Sequence, residues 1–243
     1  IGTSAFYQCE KLKEIRLPNV ETIGEMAFLA CSALEKAEFP KVKTIEPRTF
    51  CECTRLQTID ISQTETIGEK AFWGVGLKSI EMPKVKSIGE CAFYNCKEFN
   101  EKIELPEIEK IGTKAFYGCE NISELKFSEY LEEIEEYAFY GCSKLEKVEL
   151  PHIEEIKNNA FEKCRKLYEL KLPEGLKEIY MNAFLGVPLR EIVIPSTVTY
   201  IGPKAFYKCP LRMVFFRGNL VPTMGDDAFA TEKGGGRVYY YSL

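Results

Sequence analysis

"IGTKAFYGCENISELKF", residues 111 to 127, sets Ile111, Ala115, Phe116 and Cys119 at spacings that the chain uses again and again. "IGEKAF" stands at 67 to 72, "IEEYAFYGC" at 134 to 142 and "IGPKAFYKC" at 201 to 209. A catalytic motif normally occurs once; a pattern that recurs down the whole chain is architecture. An Ile heads each unit, at 1, 23, 45, 67, 88, 111, 134, 156, 179 and 201, in steps of 21 to 23 residues. A Phe follows each Ile five residues on, from Phe6 to Phe206, and Ala precedes every one except Phe50, which follows Thr49. Ala228 and Phe229 mark a degenerate eleventh unit. The expected organisation is one continuous solenoid, with ten tandem repeats over 1–224 and a degenerate repeat or C-terminal cap over 225–243.

The unit "IGEMAFLACSALEKAEFPKVKT" (23 to 44) shows the logic. Ala27, Phe28 and Cys31 fall at i, i+1 and i+4, the buried face of a short helical turn. Pro47 and Pro203, two residues after their Ile, suit an early helical or turn position. Leu34, Ala37 and Phe39 then follow L-x-x-I-x-L, whose last residues alternate inward and outward as a short strand does. Pro40 ends the strand, as do Pro18, Pro83, Pro106, Pro151, Pro173 and Pro195 in their units. No single unit buries that much apolar surface alone, so similar units must stack in register. With parallel strands about 4.8 Å apart, ten coils make a rod or shallow arc of roughly 45–50 Å.

This pattern, I-G-x-x-A-F-x-x-C-x-x-L-x-x-I-x-L-P-x-x-V, resembles the BspA-type, or Treponema pallidum-type, leucine-rich repeat. The resemblance covers residues 1 to about 218 and, more weakly, the rest. It implies a right-handed leucine-rich-repeat solenoid, β-dominated, with short strands in parallel sheets and short helical turns. It also implies a cell-surface or secreted protein, and adhesion to host extracellular matrix, other proteins, glycoconjugates or other bacteria. The family shares no catalytic residues, so none carries over.

Bulk properties agree with a folded domain. The 243 residues are 45% hydrophobic and 28% charged, which is ample material for a core. A net charge of −5 gives no general attraction for nucleic acid or an anionic membrane. No apolar run approaches the roughly 18 residues of a membrane span. Ile1 already lies inside the motif with no initiator Met or signal pattern, so the sequence reads as a piece of something longer.

Ten cysteines invite a disulfide framework, but their positions argue for free thiols. Eight of them, from Cys9 to Cys209, take one slot of successive repeats, and Val75 and Val187 take it in the other two. Parallel neighbours would hold their Cβ atoms about as far apart as the coils, beyond the ~3.8 Å of a disulfide. A ladder of buried thiols acting as small apolar groups fits better. Cys51 and Cys91 lie off the ladder, and "CEC" at 51 to 53 lacks the further ligands of a metal site.

Chemistry is otherwise sparse. His152, the single histidine, follows Pro151 in a turn where other repeats carry Asn19, Lys41, Lys84 or Glu107, a surface position. That removes most hydrolase triads and histidine-based metal sites. "GGG" at 234 to 236 has neither the spacing nor the Lys of a phosphate loop. No cofactor, metal site or enzyme activity is expected. The sequon at Asn121 puts Ile122 in a core slot and is expected to go unused.

Two positions per strand should face outward. In repeats five to eight they read Lys102, Glu124, Lys147, Glu169 and Glu104, Lys126, Glu149, Lys171, a checkerboard that neutralises itself and disfavours slipped register. The last repeats depart from it: Glu191 and Val193, then Met213 and Phe215, then "RVYYY" (237 to 241) with Tyr239 or Tyr241 continuing the stripe. Loss of charge together with aromatics is what an interaction surface needs. Val193, Met213, Phe215, Tyr239 and Tyr241 are the candidate binding residues; capping or onward stacking competes for the same patch. A second aromatic row at Tyr7, Trp73, Tyr94, Tyr117, Tyr140 and Tyr207 shields the outer edge or offers carbohydrate or protein stacking. The expected function is a non-catalytic binding module; the alternative is a rigid spacer without a ligand.

Overall fold

The computed structural model describes residues 1–99, 102–218, 220–231 and, as backbone, 239–242. Each Ile-headed unit makes one coil of a parallel solenoid. Coils 1 to 10 take their numbers from Ile1 to Ile201 in order, and coil 11 is the unit headed by Met224. Every coil has three sides.

On the strand side, Glu14–Arg16, Lys36–Glu38 and Thr58–Asp60 pair in parallel, with Ile15, Ala37 and Ile59 in line. Ile103–Leu105, Glu124–Phe127 and Lys147–Glu149 form a second sheet, with Ile103, Leu125 and Val148 in line. Glu191–Ile194, Met213–Phe216 and Tyr239–Ser242 form a third. Coils 4 and 8 contribute no strand to this side. On the return side, two-residue strands end at the heading residues: Thr44–Ile45, Thr66–Ile67, Ser87–Ile88 and Lys110–Ile111 make one sheet. Glu133–Ile134, Glu155–Ile156, Glu178–Ile179, Tyr200–Ile201 and Thr223–Met224 make another.

The third side, from the heading Ile to the Cys slot, differs from the expected helical turn, and no helix occurs among the described residues. In coil 6 the amides of Ala115, Tyr117 and Cys119 close tight turns onto Gly112, Lys114 and Phe116, at 3.1, 3.1 and 3.2 Å. The alternate amides of Lys114, Phe116 and Gly118 point along the axis instead, to the carbonyls of Glu136, Ala138 and Tyr140 in coil 7, at 2.9, 2.9 and 2.8 Å. A helix would direct every amide back into its own coil and leave the neighbouring coil's carbonyls unpaired. The alternation satisfies both and requires left-handed backbone twice per coil, at Lys114 (φ 57) and Gly118 (φ 69) in this one. The same three inter-coil bonds recur at every junction from coils 1 and 2 to coils 10 and 11.

The core follows from that spacing. The eleven Phe rings from Phe6 to Phe229 stack in one column, with successive centroids 5.0 to 5.5 Å apart and planes within 15°. Offset stacking adds about 0.5–1.5 kcal/mol per pair beyond area burial. The preceding Ala residues of coils 2 and 4 to 10 are fully buried, so a polar group in this slot must find its partner inside. Thr49 fits that slot because its hydroxyl donates to the Glu46 carbonyl at 2.7 Å, so its polar atom is satisfied inside.

Candidate functional site: an apolar column on the last strands

Strand alternation places the candidate residues. In Glu191–Ile194 and Met213–Phe216 the side chains of Ile192, Ile194, Val214 and Phe216 are buried, while Val193, Met213 and Phe215 face outward and are half-buried. Parallel register sets Val193 beside Phe215, and Glu191 beside Met213. The backbone of Tyr239 and Tyr241 pairs with Met213 and Phe215 in the same way; their side chains lie outside the described residues. Val193 and Phe215 are therefore brought together as neighbours, and Met213 borders them one position along the strand.

The preceding block has the opposite character. Lys147 reaches Glu124 at 3.1 Å and Glu149 at 2.6 Å, while Lys102 reaches Glu104 at 3.0 Å and Glu124 at 3.4 Å. Glu124 sits between the two lysines; the hydrogen bond from Lys147, then that from Lys102 and the charge of both, hold its carboxyl below the ordinary value against the opposing effect of desolvation. Lys36 joins Glu38 at 2.8 Å and Arg16 joins it at 2.6 Å in the first block. Each such exposed pair contributes about 0–1 kcal/mol. The charges of coils 5 to 7 are occupied with one another, and those of coils 9 and 10 are largely replaced by apolar side chains.

The second aromatic row is partly a stack in its own right. Trp73, Tyr94, Tyr117 and Tyr140 lie face to face, with centroids 4.2, 4.6 and 4.5 Å apart. The Lys163 ammonium covers Tyr140 at 4.5 Å from its ring centre. Burial, with the neighbouring tyrosines, pushes the Tyr117 hydroxyl up to about 12. The rings use their faces on each other, so this row offers rims and hydroxyls to a ligand. Four aromatics in one slot of consecutive repeats were the available signal for that stacking.

All ten cysteines are free, and Cys51 and Cys91 are buried with the ladder thiols except the half-buried Cys9. No group of three or more His, Cys, Asp or Glu side chains able to hold a metal ion occurs among the described residues. His152 is exposed. An open groove of about 570 Å³ lies away from the apolar column, between the return strands of Ile111 and Ile134, lined by Glu109, Glu129, Tyr130, Glu132 and Glu133. The repeat pattern gives no warning of Leu220 and Val221, which stand 87% and 66% exposed on the way back from coil 10. They fall in a connection that matches no repeat slot.

Comparison with known proteins bears on this architecture. The profile of the BspA type leucine rich repeat region matches residues 1–100 and 87–212, in 6 copies. No curated protein is significantly similar to the chain. Among solved structures, a leucine-rich repeat protein from Bacteroides ovatus is 29% identical, with a TM-score of 0.73 over 100% of this chain. The chain spans 59% of that protein's length. A leucine rich cell surface protein from Faecalibacterium prausnitzii is 26% identical over 90% of this chain and 76% of its own, with a TM-score of 0.53. The pneumococcal vaccine antigen PcpA shares the fold at 20% identity and a TM-score of 0.56, over 95% of this chain and 66% of its own. The chain belongs to the BspA-type leucine-rich repeat family.

Proposed function

We propose that this chain is a non-catalytic recognition module, carried on a bacterial surface or secreted, that binds a protein or glycoconjugate through the apolar column of its last strands. The observation that carries the reading is the change of character along one face. Coils 5 to 7 present lysines and glutamates paired with each other, whereas coils 9 and 10 present Val193, Met213 and Phe215 on regular strands. Tyr239 and Tyr241 extend the same column by sequence. Half-buried apolar side chains on a rigid sheet lose little conformational freedom on binding, which favours them as anchors. Surface display is supported by the cell-surface relative from Faecalibacterium prausnitzii. Host matrix proteins and the surfaces of other bacteria are the ligands to try first. The lack of catalysis is supported by an exposed lone histidine and by strand-face carboxylates already engaged with lysines.

The test is a binding screen against matrix proteins, mucin glycans and bacterial surface material, with Phe215→Ser alongside and circular dichroism to confirm its fold. A saturable ligand lost by the folded variant supports the site. Binding that the variant retains moves the site elsewhere. The spacer reading is favoured by the self-neutralised face of coils 5 to 7, and binding to nothing in the screen would support it.

A further inference from the structure

The strand side is broken at coils 4 and 8, each of which adjoins a coil with a turn of different length. Coils 1 to 3 and 6 to 8 enter the strand through a four-residue turn, as in Cys142 to Leu145, closed by the Leu145 amide on the Cys142 carbonyl at 3.0 Å. Coils 4, 9 and 10 are one residue shorter there, as in Val187 to Leu189, where the Leu189 amide turns onto Val187 at 2.9 Å. Coil 4 is a short coil next to long coil 3, and coil 8 is the last long coil before two short ones. These two coils are the ones that form no strand.

At coil 8 the separation is complete on both sides. No backbone hydrogen bond joins residues 169–172 to coil 7 or coil 9, and Leu170 and Leu172 are only half-buried where Leu125 and Ile192 are buried. The side-chain ties nearby are exposed ion pairs, Lys166 to Glu146 at 3.0 Å and Arg217 to Glu174 at 2.5 Å. At coil 4 the Lys78 amide bonds to Gln57 at 3.3 Å, and residues 79–82 make no further backbone bond to coil 3. The other two sides of coil 8 are closed. Asn159, Phe161 and Lys163 donate to Met181, Ala183 and Leu185 at 3.0, 2.8 and 3.1 Å, and Ile156, Ile179 and Ile201 stay in register.

We propose that the solenoid is hinged on its strand side at coils 4 and 8, so that three strand blocks swing about the unbroken turn side. The angle between the charged block of coils 5 to 7 and the apolar block of coils 9 to 11 then changes while the Phe column stays closed. Such a face adapts its curvature to a partner without exposing core. The inference stands whether or not the apolar column binds a ligand.

Spin labels carried on azide-bearing residues, which leave the thiols untouched, test it in the full chain. One pair replaces Lys147 and Glu191, two coils apart across coil 8; the reference pair replaces Lys102 and Lys147, two coils apart within one block. The expected result is a clearly broader distance distribution for the first pair, and equal widths overturn the proposal. Hydrogen exchange gives a second measurement: amides of 169–172 exchange at least about tenfold faster than those of 147–149. Equal protection of 169–172 and 147–149 also sinks the idea.

Discussion

Cys119 Sγ donates a hydrogen bond to the carbonyl oxygen of Phe93 in the preceding coil, at 3.0 Å. The same bond joins Cys31 to Phe6, Cys53 to Phe28, Cys96 to Phe72 and Cys209 to Phe184, at 3.0 to 3.1 Å. The thiol is thus more than a filler, because it ties each coil to the one before it. Each Phe carbonyl also keeps an amide partner in its own coil, as Phe93 does with Cys96 at 3.2 Å. This second partner explains how Val75 and Val187 occupy the slot without orphaning a carbonyl.

Cys119→Val is expected to change stability by less than about 1 kcal/mol, since volume is kept and the carbonyl stays paired. Cys119→Ala leaves a cavity as well and is expected to cost about 1.5–3 kcal/mol. Urea unfolding of the two variants beside the parent checks the order. Equal losses would mean that cavity volume does not govern this slot.

Burial raises the thiols of Cys119, Cys142 and Cys164, and pushes Cys209 from its ordinary 9.0 up to about 12. In the unfolded chain these thiols ionise near 9.0, so above that pH the unfolded state holds fewer protons than the folded one. Stability is therefore full below about pH 9 and falls as pH rises toward 12, by up to about 1.4 kcal/mol per pH unit per thiol. Melting temperatures between pH 8 and pH 11 test this, and a flat profile would contradict it. A thiol reagent at pH 8 is expected to modify these four cysteines only after denaturant is added.

Glu52 is exposed and held at φ 62, at a place where coils 4, 6, 7 and 9 have Gly74, Gly118, Gly141 and Gly186. Left-handed backbone costs a side-chain-bearing residue about 1–2 kcal/mol, while glycine adds about 0.5–1 kcal/mol of unfolded-state entropy. Glu52→Gly is accordingly expected to stabilise by about 0.5 kcal/mol, and Gly141→Ala, at φ 73, to destabilise by a similar amount or more. Opposite signs in thermal melts are the outcome to look for.

Lys147→Ala removes two ion pairs, to Glu124 and Glu149, yet both partners are solvated and the expected loss is under about 1 kcal/mol. Phe116→Ala, in the middle of the column, is expected to cost about 3–5 kcal/mol. Chemical denaturation of both distinguishes a fold held by its column from one held by its charged face.

The sequence by itself determined the repeat, its phase and its core, because Ile, Ala, Phe and Cys at fixed offsets can be buried together in only one way when coils stack. It also marked the charge checkerboard and the apolar change at Val193, Met213 and Phe215, since alternation along a strand assigns faces residue by residue. The turn side was legible as buried positions but not as conformation. The offsets of Ala27, Phe28 and Cys31 suit a helical turn within one coil, and only the neighbouring coil's carbonyls, absent from any local window, draw alternate amides outward. The face-to-face stack of Trp73, Tyr94, Tyr117 and Tyr140 and the thiol bonds to the Phe carbonyls likewise exist only between coils. The breaks at coils 4 and 8 lie beside changes of turn length in the sequence, but which backbone pairs are lost is decided only between coils. Local spacing fixes what each residue buries; the register between coils decides which hydrogen bonds are made.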